Sequence, residues 1–325
     1  ICGTGASPGG KKVHANAVIG LKRLEYKSYD SSGIALIHSQ NIQVARSVGR
    51  ISVLEKILED HPLPGTLGIA HTRWATHGKP STENAHPHRD HTGKIAIVHN
   101  GIIENFATLK KWLIEKGCTF SSETDSEVIA NLISLFYHDP SQFNGSAAGQ
   151  TVPQRMEAAV RMCLRELVGT YGIAVICQDA PNLLIAARRG SPLILGVGDG
   201  EFIVASDASA IVKHTKQAIY LGDNEMAVIH PDGYRTSTID NIPVAAKIEQ
   251  IEYSLEAIEK AGFEHYMAKE IFEQPQTLQA CFGGRLDLTT GQIHLGGIAN
   301  LSRELVRAKR IVITACGTAY HAGLV

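Results

Sequence analysis

The chain has 325 residues, a formal net charge of −1, 44% hydrophobic residues and 19% charged residues. That length suits about two domains, and that apolar fraction is enough to fill their cores. A near-neutral chain offers no global field to draw nucleic acid or an anionic membrane surface, and no apolar run of about 18 residues is present to span a bilayer.

No charged-then-apolar leader opens the chain, so a cytoplasmic setting is expected. The six cysteines, Cys2, Cys118, Cys163, Cys177, Cys281 and Cys316, are scattered without a C-x-x-C pair. That pattern argues against a disulfide framework and for reducing surroundings. Val13, Ala17, Leu21 and Leu24 recur at helical spacing and predict an amphipathic helix over 11–26. Ile34-Ala35-Leu36-Ile37, Leu67–Ala70 and Lys94–Val98 read as strands. Thr124 with Glu127 three residues on predicts a capping box. The stripe Val128, Ile129, Leu132, Ile133 and Phe136 then carries a helix over 125–137. Residues 140–153 are rich in Ser, Gly, Ala and Gln and read as a loop. Met156 to Leu167 predicts another helix, followed by short apolar runs at Ile173–Cys177, Leu183–Ala187, Phe202–Ala205, Ala218–Leu221 and Met226–Ile229. Many strands with few helices predict two packed sheets covered by helices. Beyond about residue 240 the composition shifts. Residues 250–274 are charged with helical periodicity, and Lys309–Thr314 reads as a strand feeding the small-residue turn Ala315-Cys316-Gly317-Thr318-Ala319. A strand ending in such a turn before a helix is how α/β domains hold phosphates. The chain stops at Val325, so this second domain is expected to be cut short.

Four motifs carry chemistry. Cys2 is either incidental or a nucleophile. A residue bearing both a thiol and an α-amine can use its own amine as general base. His71-Thr72-Arg73-Trp74-Ala75-Thr76-His77-Gly78 closes a strand, and an arginine fork matches a carboxylate, although a surface Arg beside a packed Trp fits as well. Asn100-Gly101 reads as a tight turn, or as an oxyanion hole built from the amide side chain and a backbone N–H. Ser122-Glu123-Thr124-Asp125-Ser126-Glu127 reads as a helix cap, or as a cap that also offers the Asp125 carboxylate to an amine. Gly3-Thr4-Gly5 lacks the preceding strand of a dinucleotide loop. The histidines between His71 and His99 lack metal-ligand spacing.

Together HTRWATHG at 71–78, NAHPH at 84–88, VHNGIIEN at 98–105 and SETDSEVIA at 122–130 resemble the glutaminase domain of the glutamine–fructose-6-phosphate aminotransferase family. LEYKSYDSSG at 24–33, RRGSPL at 188–193 and Ala205-Ser206-Asp207 fit the same family. EHYMAKEIFEQP at 264–275 and ITACGTAYHAGL at 313–324 resemble the join to its sugar-isomerase domain and the opening of that domain. The resemblance implies an α+β fold, a four-layer αββα N-terminal-nucleophile glutaminase over 2–240, then a linker and a truncated α/β sugar-isomerase domain over 241–325. It implies Cys2 as nucleophile, Asn100 and Gly101 as oxyanion hole, Arg73 on the glutamine α-carboxylate and Asp125 on its α-amine. Trp74, Thr76, His77 and His86 would line the pocket or its ammonia passage. Cys316, Gly317 and Thr318 would form part of a sugar-phosphate site. The implied partners are L-glutamine and, in a complete enzyme, fructose 6-phosphate. No metal or redox cofactor is implied, and the full-length form is expected to be a homodimer.

The start departs from the family pattern. While Ile1 is attached, the Cys2 nitrogen is an amide and cannot act as a base. Thr4 and Ser7 stand where strand hydrophobes are usual, and Pro8 lacks a donor that a central strand would need. Lys27 and Ser28 replace a usual Arg-Gly, and Ala319 a usual Ser. Two rivals therefore stay open: another amidotransferase on the same glutaminase fold, such as the one aminating phosphoribosyl pyrophosphate, and a silent fragment that folds and binds glutamine.

Overall fold

The computed structural model describes residues 2–5, 13–25, 30–74, 78–139, 149–252, 262–282, 285–287, 290–293, 301–310, 312–315 and 317–325. Two compact units are distinct, Ile1–Ile258 and Glu259–Val325. The first runs β1 (Cys2–Gly5), α1 (Val13–Leu24), β2 (Ser31–His38), β3 (Asn41–Val48), α2 (Ile51–Asp60), β4 (Leu67–Arg73), β5 (His88–Arg89), β6 (Ile95–Ile103), α3 (Phe106–Glu115), α4 (Asp125–His138) and α5 (Val152–Glu166). It continues through β7 (Gly169–Cys177), β8 (Ala180–Arg189), β9 (Ile194–Val197), β10 (Phe202–Ala205), β11 (Gln217–Tyr220), β12 (Glu225–His230), β13 (Gly233–Thr238) and β14 (Glu249–Gln250).

These strands form two antiparallel sheets. One has eight strands in the order β14-β11-β9-β10-β1-β4-β2-β3, the other six in the order β13-β12-β8-β7-β6-β5. Alternation along each strand sets the layers, because successive side chains point to opposite faces. In β6, Ala96 and Val98 face the gap between the sheets, whereas Ile95 and Ile97 face α3, α4 and α5. In β2, Ala35 and Ile37 face the gap, whereas Ile34 and Leu36 face α1 and α2. Both faces of both sheets are therefore covered, which gives four layers, helix–sheet–sheet–helix. Each fully buried Ile or Leu contributes roughly 1.5–3 kcal/mol against exposure.

β1 is a central strand. Cys2 pairs with Ala205 of β10 and with Ala70 of β4, and Thr4 pairs with Ile203 and Gly68. The polar Thr4 does not stop the strand from forming, and Pro8 lies outside the described residues.

Several elements differ from the sequence expectation. β6 does not stop at Val98. It runs on through Asn100 and Gly101 to Ile103, paired throughout with β7, so Asn100-Gly101 is not a turn. Pairing to β7 overrides the local turn preference of that dipeptide. Thr124 accepts from the Glu127 N–H, but the Glu127 carboxylate binds Ser121 and Ser122 instead of closing a capping box. A complete box forms at Thr151 and Gln154, with Pro153 in the first turn of α5, where a missing N–H does no harm. The predicted loop thus ends before Thr151, and its residues 140–148 lie outside the described set. No helix fills the described part of 250–274 before Tyr266. Glu249–Gln250 instead joins the large sheet as β14.

In the second unit a helix spans Tyr266–Phe282, and Leu286–Asp287 pairs with Gln292–Ile293. Shorter helices span Ser302–Arg307 and Gly317–Leu324. The described residues within 309–314 are not strand. A parallel strand needs neighbours to bond its backbone, and the only sheet among the described residues of this unit is that two-stranded pair.

Gly33 in β2 permits a close approach that positions the site: an added Cβ would lie 2.3 Å from the His86 carbonyl oxygen and 2.8 Å from that of Ala45. Gly33→Ala should therefore lower the unfolding free energy by about 1–3 kcal/mol, read as a shift in denaturant midpoint at unchanged m-value. An unshifted midpoint would mean that the 84–88 segment is not held against β2.

Candidate active site

The antiparallel register places the start of β1 beside the end of β4, since Cys2 pairs with Ala70 while Thr4 pairs with Gly68. Arg73 ends β4 opposite Ser31 of β2, and its backbone carbonyl accepts from the Asp30 N–H. The Arg73 side chain is buried and donates to the Gly78 carbonyl at 3.1 Å. Burial lowers its pKa, while the charges of Asp30 and Asp125 work in the opposite direction. Trp74, the next residue, is 59% exposed at the rim. Thr76 and His77 lie outside the described residues.

Asp125 is the first residue of α4 and is buried. It stands at the positive end of the α4 dipole. The Ile103 N–H donates to its Oδ2 at 2.9 Å. Asn84 ties this helix start to the 84–88 segment: its Nδ2 donates to Glu123 Oε2 at 3.2 Å and its Oδ1 accepts from the Glu123 N–H at 2.9 Å.

Four buried histidines lie beneath. The rings of His71 and His86 are 4.3 Å apart, and those of His86 and His88 4.6 Å apart in edge contact. His86 Nε2 and His99 Nδ1 meet the same hydroxyl, Ser126 Oγ, at 2.8 and 3.0 Å. His88 Nε2 meets the Thr124 hydroxyl at 3.1 Å. This chain of contacts leads from β4, where Ala70 pairs with Cys2, to His99, the neighbour of Asn100. The structure therefore brings the backbone of Cys2, Arg73, His86, Asn100, Gly101 and Asp125 to one end of the sandwich. Asn100 shares the strand face of Ala96 and Val98, toward the other sheet, and is exposed. Gly101 has φ +145°, and an added Cβ would sit 2.1 Å from the Thr170 carbonyl oxygen, so only glycine fits. Among the described residues no group of three or more His, Cys, Asp or Glu side chains has the geometry to hold a metal ion.

Burial also sets the charge state. It pushes the pKa of His71 and of His86 well below the ordinary value, helped by the other histidines and Arg73. It pushes His88 down to about 3, with Arg46 and Arg73 adding to the effect. Burial thus keeps His71, His86 and His88 neutral, beside the positive charge of Arg73. His71 Nδ1 and His86 Nδ1 have no hydrogen-bond partner among the described residues, an arrangement that costs roughly 1–3 kcal/mol per buried group.

The sequence reasoning named Arg73, His86, Asn100, Gly101 and Asp125 and left His99, Ser126, Asn84 and Thr170 without a role. His99 carried a usable signal. It alternates with Asn100 along β6, so it had to point to the opposite face, toward α4.

Residues 71–213 match the family model described as "Glutamine amidotransferase domain". The fold matches two solved structures, each at TM-score 0.59 over 73% of this chain and 48% of the other. One is glutamine phosphoribosylpyrophosphate amidotransferase from B. subtilis, 22% identical, and the other an allosteric regulatory enzyme of purine biosynthesis, 23% identical. The four layers and this match define the class: residues 71–213 form a glutamine amidotransferase domain, on the fold of those two structures. Its relatives in sequence are narrower in kind. It is 46% identical to the glutamine–fructose-6-phosphate aminotransferase [isomerizing] of Chlorobaculum tepidum, 43% to that of Caldanaerobacter subterraneus and 42% to that of Methanosarcina acetivorans. The first two similarities cover 100% of this chain and the third 97%. The chain spans about half the length of these relatives, 50–52%, and matches their N-terminal half.

The buried histidines make stability depend on pH. Their folded pKa values lie below the unfolded value of about 6.5, so below that pH the unfolded chain binds protons that the folded chain refuses. Stability is full above about pH 6.5 and falls on acidification toward about 3, where His88 titrates in place. The expected loss is about 1.4 kcal/mol per pH unit for each histidine kept neutral. Denaturant titrations between about pH 7 and pH 5 should show this slope, and His88→Gln should reduce it by close to one proton. An unchanged slope in the variant would show that His88 is not held neutral.

Proposed function

We propose that this chain is the glutamine-hydrolysing part of a glutamine–fructose-6-phosphate aminotransferase. Residues 2–240 would be the glutaminase, and residues 241–325 the linker and opening of a sugar-isomerase domain. The observation that carries the reading is the buried Arg73 and the buried Asp125 at the sheet end where β1 begins. An amino acid presents a carboxylate and an ammonium together, and these two side chains offer the complementary charges. The similarity to relatives of that name along the whole chain supports fructose 6-phosphate, rather than a phosphoribosyl acceptor, as the destination of the ammonia.

In the proposed reaction, glutamine binds with its α-carboxylate at Arg73 and its α-ammonium at Asp125. The Cys2 amine takes the thiol proton. The thiolate attacks the side-chain amide carbon, a C–S bond forms, and the carbonyl electrons move to oxygen. Asn100 and the Gly101 N–H stabilise this oxyanion, and their strand backbone holds them preorganised. The intermediate collapses, the C–N bond breaks, and ammonia leaves with the proton from the terminal ammonium. Water then hydrolyses the thioester to glutamate and restores the thiol. Trp74, exposed at the rim, is suited to control the exit. Gly317 and Thr318 open the helix Gly317–Leu324 and, with Cys316, would contribute part of a sugar-phosphate site through helix N–H groups.

Ile1 favours a second reading, a protein that binds glutamine without turning it over, because an acylated Cys2 nitrogen cannot serve as base. Intact-mass analysis with glutamate release separates the two. Protein whose first residue is Cys2 should hydrolyse glutamine, and protein keeping Ile1 should not. With Cys2 first, Cys2→Ala should abolish turnover, and Arg73→Lys should raise KM by about tenfold or more with a smaller change in kcat. Undiminished glutamate release by Cys2→Ala would reject the mechanism.

A further inference from the structure

We infer that Arg46 and Arg89 form a binding site for a phosphate dianion at the side edge of the sandwich. The ligand class is free phosphate or the phosphate group of a small monoester. The site stands apart from the glutamine reaction and does not depend on it.

Strand register brings the two residues together. β3 is the outermost strand of the eight-stranded sheet, and β5 is the outermost strand of the six-stranded sheet. Arg46 of β3 pairs with Gly33, which alternates along β2 with the gap-facing Ala35 and Ile37. Partners directly opposite share a face of the sheet, so Arg46 projects into the gap. Its stem lies over Gly33, where an added Cβ would meet Arg46 Cγ at 2.8 Å. Arg89 of β5 pairs with Ala96, which also faces the gap. Each sheet therefore sends one arginine into the edge of a gap whose core is apolar. Both side chains line one cleft of about 420 Å³, with His91, Thr119 and Phe120 also on its wall.

Neither charge is matched inside the protein. Among the described residues Arg46 donates through Nη1 alone, to the carbonyls of Glu83 and Ala85 at 3.3 and 3.2 Å. No hydrogen bond or ion pair among them engages the Arg89 guanidinium. An arginine has five N–H donors, so Nε and Nη2 of Arg46 and the whole Arg89 fork stay open. Burial and then the Arg89 charge press the Arg46 guanidinium below its ordinary pKa, against the smaller opposite pull of Glu127 and Glu83.

Two carboxylates share the wall of the cleft, Asp90 and Glu127, but their oxygens are already occupied. Asp90 accepts from the Ile95 N–H, from the N–H and hydroxyl of Thr92, and from the Ser134 hydroxyl. Glu127 accepts from the N–H and hydroxyl of both Ser121 and Ser122. A carboxylate has about four lone-pair sites, so both are saturated. The open hydrogen-bonding capacity of the cleft is thus two cationic forks. Like charges at partly buried positions disfavour each other until an anion joins them. A carboxylate ligand carries one negative charge and would leave one guanidinium unmatched. A phosphate dianion matches both, and its oxygens suit the planar forks.

The test is calorimetric titration of inorganic phosphate into the full chain, above the second phosphate pKa. Phosphate should bind, and acetate should bind at least about tenfold more weakly. Arg89→Gln should weaken phosphate binding by about tenfold, and Arg46→Gln, whose amide can still donate to a backbone carbonyl, by a similar factor. Methyl phosphate separates the two sources. Binding as tight as phosphate or tighter identifies a monoester, weaker binding identifies free phosphate, and both results uphold the site. Arg89→Glu checks the charge argument apart from packing. It should abolish phosphate binding and, by giving Arg46 a counter-charge, raise the denaturant midpoint of the phosphate-free protein. The inference is overturned if the unaltered chain binds no phosphate, if acetate binds as tightly, if Arg89→Gln leaves the affinity unchanged, or if Arg89→Glu lowers that midpoint.

Discussion

A carboxylate held nearly dry at the first turn of a buried helix is the constraint to which the rest of this site answers. Asp125 sits where water cannot solvate it freely, and an isolated buried charge is expensive. Its carboxylate accepts from the Ile103 N–H of β6 and the Ser126 hydroxyl, stands at the positive end of the α4 dipole, and interacts with the charge of Arg73. The helix in turn must be fixed. α4 is buried along almost its entire length between the six-stranded sheet and its neighbours α3 and α5. Its start is pinned by Asn84 to Glu123, by Thr124 to His88, and by Glu127 to Ser121 and Ser122. The apolar layers thus do electrostatic work, since they keep opposite charges in place without letting them collapse onto each other.

Three histidines serve the same arrangement by staying uncharged: burial with mutual repulsion holds His71, His86 and His88 well below their ordinary pKa beside Arg73. Neutral imidazole is both a donor and an acceptor, so it can pass hydrogen bonds in one direction where lysine or arginine could only donate. The His71 and His86 rings are tilted against each other, His86 and His88 meet at an edge, and His86 Nε2 and His99 Nδ1 share the Ser126 hydroxyl.

Much of this was legible in the sequence, and for identifiable reasons. Apolar strands and amphipathic helices announced two covered sheets, and the motifs ending at Arg73, Asn100 and Asp125 marked the site. The losses were local. Asn100-Gly101 looks like a turn because its dipeptide preference is strong, yet pairing with Tyr171 and Gly172 of β7 holds it as strand. β3 is hard to read because its two buried positions, Ile42 and Ser47, do not alternate with period two, whereas Ile51, Leu54 and Leu58 of α2 stand at helical spacing and were legible. Thr124 and Glu127 have the spacing of a capping box, but Ser121 and Ser122 compete for the carboxylate, and sequence spacing carries no information on which partner wins. Roles for His99 and Ser126 could not be read because the contacts that join them to Thr170 and His86 span 71 and 40 residues of chain.

The extension of β6 through Asn100-Gly101 bears on how an oxyanion could be stabilised here. A donor on a flexible turn would have to reorganise as charge develops, and that reorganisation would consume the electrostatic gain. A donor on a strand bonded along its length to β7 cannot relax away. Gly101 enforces this, because its φ of +145° and its approach to the Thr170 carbonyl exclude any Cβ. Thr170 therefore meets the site twice, once as the backbone that crowds Gly101 and once as the carbonyl that orients His99. A single backbone position thus touches both the proposed oxyanion hole and the buried His99 ring, which lies 3.9 Å from Asp125. Displacement of the β6–β7 pairing at that point would disturb the grip on the reacting amide and the recognition of the distant amino group together, although no side chain of Thr170 need touch the substrate.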